Sequence, residues 1–351
     1  MSSMARALLF GLATSARLER TVKTMPGGEA IAWRAASRYV AGRSRSEALA
    51  AAARLLDAGH GVSIDLFGEG VRDPASADGV LDDYLQLAAA LPPPPADVWL
   101  SADLSHLALD TDRCAVAERL AAIAQALPVG RRVQVGAEDA ARADAILTCV
   151  TDVAARGLAE RLGATVQANL LRAKADAEVL VNAGVHVRLV KGAYLEETAA
   201  LPHGEPTDIA FLRLGFLLAE SGASWSMATH DGRLREALLL GRETIPVEQL
   251  FGVRPELLRD LHDRAIPTRV YLPYGPDWFR YWMRRLAESR TAGRRPAPIP
   301  RAACSRRSPC AMAACRRSTG TSSVSPLQWP SCTASSCRRT WRIASAGSRS
   351  S

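Results

Sequence analysis

From residue 47 onward, short β-branched runs alternate with longer stretches in which apolar residues recur at helical spacing. The runs predicted as strands are Val62–Phe67, Val98–Leu104, Arg132–Gly136, Ala164–Ala168, His186–Val190, Ser224–Ala228, Val247–Phe251 and Thr268–Leu272. Between them Ser46–Ala58, Val80–Ala90, Asp112–Ala126 and Gly232–Leu240 have helical length and periodicity. Such alternation builds a parallel sheet, because parallel neighbours need a crossover. Eight repeats over about 230 residues suit a closed (β/α)8 barrel of the TIM type. A doubly wound open sheet competes, but it predicts a Gly-rich phosphate turn after the first strand, and Gly68-Glu69-Gly70 makes a poor one. Residues 1–46 are helical in composition and predict a small arm outside the barrel, and Pro92–Pro95 is a stiff connector.

Polar residues gather where the strands end. Asp65 and Glu69 close the first, Asp103 and Ser105 the second, Glu138 follows the third, and Gln167 and Asn169 lie on the fourth. Arg188, Lys191 and Tyr194 follow on the fifth, Thr229, His230 and Asp231 on the sixth, Tyr271 and Tyr274 on the eighth. Barrel active sites form at this end, although a polar residue after a strand is also an ordinary turn former. If Arg188-Leu-Val-Lys-Gly-Ala-Tyr194 continues as a strand, Arg188, Val190, Gly192 and Tyr194 share one face, with Gly192 giving a ring room to approach the backbone. An arginine satisfied by barrel carboxylates is the plainer reading of Arg188.

The segment from Tyr271 to Glu288 reads as a strand end, a turn and a polar-faced helix. A helix over 277–288 aligns Tyr281, Arg284, Arg285 and Glu288 on one face. Two adjacent guanidiniums suit a carboxylate, and Glu288 is spaced to hold Arg284 in position. A solvated basic helix end is the alternative.

Charge and cysteine usage divide the chain near the same point. The formal charge is +8, but residues 289–351 hold twelve arginines and no Asp, Glu or Lys, which leaves residues 1–288 at −4. The body therefore has no basic field for nucleic acid. Of seven cysteines only Cys114 and Cys149 lie in the body, the pattern of a reducing cytoplasm rather than a disulfide framework. The tail cysteines lack a zinc spacing, since no His follows residue 262, and no metal site is expected. No run of about 18 apolar residues offers a membrane span, and residues 7–13 read as an amphipathic helix rather than a signal.

Arg188–Tyr194, Ala228-Thr-His-Asp231 and Tyr271–Glu288, in this order, resemble the proline dehydrogenase family, with support from Ser63–Glu69, Val166–Ala168 and Gln249–Gly252. The resemblance runs over residues 47–288. It implies a (β/α)8 barrel that binds FAD noncovalently, oxidises L-proline to Δ1-pyrroline-5-carboxylate and passes electrons to a membrane quinone, with room for peripheral association at the inner membrane face. It also implies that Arg188 sits near the flavin. Gln167, Thr229 and His230 would bind other parts of FAD, with backbone contacts from Val190 and Gly192. Arg284 and Arg285 would pair with the substrate carboxylate, supported by Glu288, and Ala193, Tyr194, Leu250, Tyr271 and Tyr281 would wall the ring. Two positions depart from the family: Asp103 stands where many members have a lysine, and Gly136 where many have an aspartate. Asp103 is therefore expected to pair with Arg284 or Arg285. A flavin barrel acting on another cyclic or N-alkyl amino acid, or an inactive paralogue that binds a ligand or partner, remain open at this level.

Residues 289–351 are Arg-, Ser-, Ala- and Cys-rich and aperiodic, so they are expected to be disordered. Out-of-frame GC-rich codons would produce this composition. A genuine basic arm for nucleic acid or anionic lipid is the alternative.

Overall fold

The protein is described here from a computed structural model that covers residues 16–291, apart from Ala193, Leu195, Glu197 and Glu243, with side chains over 17–286. The stretch 7–13 and the tail from residue 292 lie outside the described residues. Helices α1 (Ala16–Thr24) and α2 (Gly28–Ala36) come first, then α3 (Arg45–Asp57) leads into the barrel. It runs β1 (Gly61–Leu66), α4 (Pro74–Ala89), β2 (Val98–Ala102), α5 (Arg113–Ala126), β3 (Val133–Val135), α6 (Ala143–Val153), β4 (Leu162–Gln167) and α7 (Ala173–Asn182). The second half is β5 (His186–Val190), α8 (Glu205–Ser221), β6 (Trp225–Ala228), α9 (Gly232–Leu239), β7 (Val247–Leu250), α10 (Pro255–Asp263), β8 (Thr268–Tyr274) and α11 (Trp278–Thr291).

All eight strands are parallel and close into a barrel in sequence order, as the alternation predicts. Closure is made by β1, which pairs Ile64 with Leu100 of β2 on one side and with Leu272 of β8 on the other. Helix starts follow side-chain caps: the Asp73, Asp112 and Asp231 carboxylates accept from the backbone N–H groups of Ser76, Ala115 and Arg233. The Asp73 cap with Pro74 behind it corrects the predicted start of α4 at Val80, because the apolar periodicity used to place it begins about two turns after the cap.

Strand alternation puts the apolar set outward, against the helices. Val62, Ile64, Val133, Val135, Val187 and Leu189 are fully buried there. The alternate set, including Ser63, Gln134, Arg188, Ser226 and Glu248, is buried and polar. A (β/α)8 barrel is usually filled by Val, Ile and Leu, so a polar interior marks a lumen assigned to chemistry. Towards the other end of the barrel, Trp99 fills space under the Arg269 guanidinium, 3.4 Å from its ring centre, and Arg269 is held by Asp97 at 2.6 Å.

A second, smaller core joins the N-terminal helices to α11. Ala32, Ala36 and Val40 pack with Phe67, Trp278, Phe279 and Tyr281, and Trp33 meets Trp278 edge-on at 5.1 Å. Gly252 sits in the left-handed region at φ 71°, and a Cβ there would strike the Arg38 carbonyl, so the arm lies tightly on the loop after β7. Among the described residues, no helix is long and apolar enough to cross a membrane and no group of His, Cys, Asp or Glu is placed to hold a metal.

Candidate active site

A cavity of about 320 Å³ opens at the C-terminal ends of the strands. Gln167, Arg188, Val190, Gly192, Tyr194, Thr229, His230, Leu250, Tyr271, Tyr281, Arg284 and Arg285 all line it. Two predicted site residues cannot be placed on its wall: Ala193 lies outside the described residues, as does the side chain of Glu288, whose backbone falls within α11.

Arg188 occupies the middle of the lumen. Its Nε stands 2.7 Å from Glu248 of β7, and Nη2 reaches across the barrel to Ser63 Oγ at 3.5 Å. Glu248 in turn accepts from Ser226 Oγ at 2.6 Å. Both partners of the ion pair are almost wholly buried, so the plainer reading, an arginine satisfied by a barrel carboxylate, and an active-site location hold together. The strand does not continue to Tyr194 as expected. It ends at Val190, and Gly192 turns the chain at φ 107°, a conformation that side chains resist. Tyr194 reaches the cavity from this loop, and its hydroxyl is kept protonated chiefly by burial.

Tyr271 shares the lumen face of β8 with Arg269, one layer nearer the cavity mouth, and donates its hydroxyl to the Asp65 carboxylate. Tyr84 of α4 also donates to Asp65, at 3.2 Å. Burial pushes the Asp65 carboxyl up to about 6, against the pull of these two hydroxyls and of Arg188. Tyr271 lies 6.4 Å from Tyr281 between ring centres, and Tyr281 packs edge-on against Phe67 at 5.0 Å, which gives the cavity an aromatic wall.

Arg284 and Arg285 enter the same cavity from the first turns of α11. The group found to hold Arg284 is Glu69, in the loop after β1, at 2.5 Å from Nη2. Burial works against the Arg284 charge, but the Glu69 carboxylate beside it outweighs burial and holds the guanidinium firmly protonated. The Arg285 guanidinium lies over the Tyr281 ring, 5.2 Å from its centre. The expected pairing of Asp103 with this helix takes a weaker form: Arg284 acts on Asp103 electrostatically, and its ion pair is with Glu69.

The remaining wall is made for a polar ligand. Gln167 is fixed by donating Nε2 to the Glu138 carbonyl at 2.7 Å. His230 accepts weakly at Nε2 from the Leu250 N–H at 3.4 Å, while Nδ1 is buried with no hydrogen-bond partner among the described residues. Burial, then the neighbouring Arg285, Arg254 and Arg235, pull its imidazole down to about 4, so it is neutral at physiological pH. Gln249 is buried with both ends of its amide unpartnered among the described residues. Such groups are costly in an empty cavity and suit a ligand edge with donors and acceptors.

Glu69, Glu248, Gln249 and Asp65 were not singled out as site residues by the sequence. The partners of Asp65, Glu69 and Glu248 come from other elements of the barrel, far away along the chain, and only the strand-end positions of Asp65 and Glu69 hinted at them.

The proline dehydrogenase family profile matches residues 48–295. A proline dehydrogenase of Deinococcus radiodurans is 31% identical over 285 residues, covering 77% of this chain and 92% of that protein. Proline dehydrogenase 1 of Bacillus subtilis is 32% identical over 262 residues, covering 72% of this chain and 86% of the relative. Among solved structures, proline utilization A of Bdellovibrio bacteriovorus, inactivated by N-propargylglycine, has the same fold, with a TM-score of 0.69 at 20% identity over 82% of this chain. That of Bradyrhizobium japonicum gives a TM-score of 0.62 at 24% identity over 77%. This chain spans 37% and 33% of those two longer chains. On the extent of the profile match and of the two close sequence relatives, the chain belongs to the proline dehydrogenase family.

Proposed function

We propose that this chain oxidises L-proline to Δ1-pyrroline-5-carboxylate, the first step of proline catabolism, with FAD bound noncovalently in the barrel mouth. The observation that carries this reading is the meeting of two arginines from one helix, an aromatic wall and a set of unpartnered buried polar groups in one cavity. The polar groups fit the cofactor: His230 Nδ1 and the Gln249 amide lack partners among the described residues, and Gly192 leaves a concave turn that a Cβ would fill by striking Asn169. Gln167, Arg188, Val190, Gly192, Thr229 and His230 would hold FAD, which supplies the two-electron acceptor.

The chain's own contribution is binding and orientation. Arg284, braced by Glu69, and Arg285 would receive the carboxylate of the amino acid as a fork. Tyr271, Tyr281, Tyr194, Leu250 and Ala193 would confine the ring and exclude water, so that the reacting carbon is held in one orientation. The tyrosine hydroxyls of 194 and 271 stay protonated, because burial and nearby carboxylates oppose their ionisation. Glu288 is assigned the support of the arginines from within α11. The proposal includes a quinone as electron acceptor, peripheral association with the inner face of the membrane, and a division into an arm at 1–46, the catalytic barrel at 47–288 and a basic tail at 289–351.

Product formation tests the reading: incubation with L-proline and a soluble quinone should yield a cyclic imine that o-aminobenzaldehyde traps, and its absence with flavin-loaded protein would contradict it. A second substrate, another cyclic or N-alkyl amino acid, is favoured by one observation, the carboxyl of Asp103 in the cavity wall. Gly192→Ala is expected to lower the flavin carried through purification several-fold, as read from the ratio of flavin to protein absorbance. The new methyl strains a backbone at φ 107° and overlaps the Asn169 side chain. An unchanged ratio would remove this loop from the cofactor wall.

A further inference from the structure

Asp103 closes β2 and lines the cavity, yet among the described residues its carboxyl has no hydrogen bond or ion pair. The space it occupies depends on its neighbour strand. A Cβ at Gly136 would overlap Asp103 Oδ1, and Gly136 is tied in place by donating its N–H to the Ala102 carbonyl at 3.0 Å. The acid after β2 and the glycine after β3 are therefore one feature: the glycine makes the pocket into which the carboxyl fits. An unpartnered carboxyl on a cavity wall, with room cleared for it by a neighbouring glycine, is suited to a ligand.

The charged surroundings decide which form of that carboxyl meets the ligand. Asp65 from β1, Glu69 from the following loop and Glu138 after β3 all bear on it with negative charge, and Arg284 from α11 opposes them. Glu69 already occupies Arg284. Tyr84, Tyr194 and Tyr271 also face it, all uncharged because burial holds their hydroxyls protonated. Burial comes first and the three acids second in pushing the Asp103 carboxyl well above the usual carboxylate range. A neutral carboxyl is a donor as well as an acceptor.

We propose that Asp103 is a third carboxylate-binding group of this pocket, whose protonated carboxyl donates a hydrogen bond to the substrate carboxylate beside the guanidiniums of Arg284 and Arg285. The inference rests on the substrate reading above and adds a proton to it. A bound carboxylate brings a further negative charge to the cluster, so binding retains the Asp103 proton at low pH and takes one up at high pH. Affinity is thus greatest where Asp103 is already protonated and falls as pH rises through its elevated range, the sign expected for an acid whose neutral form binds.

Calorimetry with cyclopentanecarboxylate tests this without turnover. The ligand has the ring and carboxylate but no titratable nitrogen. Its Kd for the flavin-loaded chain should weaken about tenfold or more between about pH 6 and about pH 9, the loss of one charge-assisted hydrogen bond. At the higher pH, buffers of differing ionisation enthalpy should reveal proton uptake. Asp103→Asn keeps a donor and cannot titrate, so its profile should be flat within about twofold with no uptake; Asp103→Ser, smaller still, should bind more weakly and be equally flat. Wild-type and variant profiles that superimpose would overturn the role of Asp103 and assign the pH dependence to Asp65, Glu69 or Glu138. Failure of the wild type to bind at every pH would instead overturn the carboxylate clamp itself, and this proposal with it.

Discussion

Arg285→Ala should reduce kcat/KM for L-proline by about a thousandfold, with flavin content and melting temperature close to those of the parent chain. Removing one partner of a desolvated charge pair costs about 2–5 kcal/mol, roughly 30- to several-thousand-fold in affinity or transition-state stabilisation. The upper half of that range is expected because Arg285 is a cavity-lining guanidinium stacked over Tyr281, so its loss also loosens one aromatic wall. Arg285→Lys should recover only part of the loss, since an ammonium keeps the charge and gives up the planar fork. Steady-state kinetics on both variants checks the assignment. A KM and kcat for the alanine variant within about twofold of the parent would remove Arg285 from the clamp, because no transition-state contact worth about 0.4 kcal/mol or less can orient a substrate.

Glu248→Ala should be the most destabilising single change in the barrel lumen. It leaves the Arg188 guanidinium buried, with Ser63 at 3.5 Å as its remaining hydrogen-bond partner among the described residues. Breaking such a pair from one side costs about 3–5 kcal/mol, and at this chain length that lowers the melting midpoint by roughly 10 °C. The paired change Arg188→Met with Glu248→Met should regain most of the stability and lose flavin affinity, because the buried charges vanish together. Thermal melts of the three proteins measure this directly. A Glu248→Ala melt indistinguishable from the parent would mean that water or ligand groups, rather than Glu248, stabilise Arg188.

How much of this could be read from the residues depended on the distance over which each feature is encoded. Strand–helix alternation is local, so all eight strands followed from the apolar periods, with errors at the ends; closure, against an open doubly wound sheet, rested on the number of repeats and the poor glycine turn after the first strand. Extending the period of two past Val190 put Tyr194 on a strand face; the left-handed turn at Gly192 carries it to the same cavity by another route. The start of α4 was missed because the cap at Asp73 is polar while the reading followed apolar residues.

The site's charge pairing was less legible. Glu69 and Arg284 are 215 residues apart, and Tyr271 and Asp65 are 206 apart, so only barrel closure brings them together. The sequence offered Glu288 as the brace for Arg284 because it is four residues away, and the structure supplies Glu69 from the loop after the neighbouring strand β1. Asp103 and Gly136 were visible one at a time, as departures from a family pattern. That the glycine makes room for the acid emerges only when β2 and β3 lie side by side. The N-terminal arm was equally opaque: nothing local in Trp33 foretells that it packs on Trp278 and steadies the helix carrying both arginines.

The central claim, that this cavity brings a flavin and L-proline together, is tested most directly by anaerobic titration of the purified, flavin-loaded chain with L-proline. The account predicts that the flavin absorbance bleaches in proportion to added proline and returns when a quinone is admitted. A flavin spectrum that stays oxidised in saturating proline would contradict it.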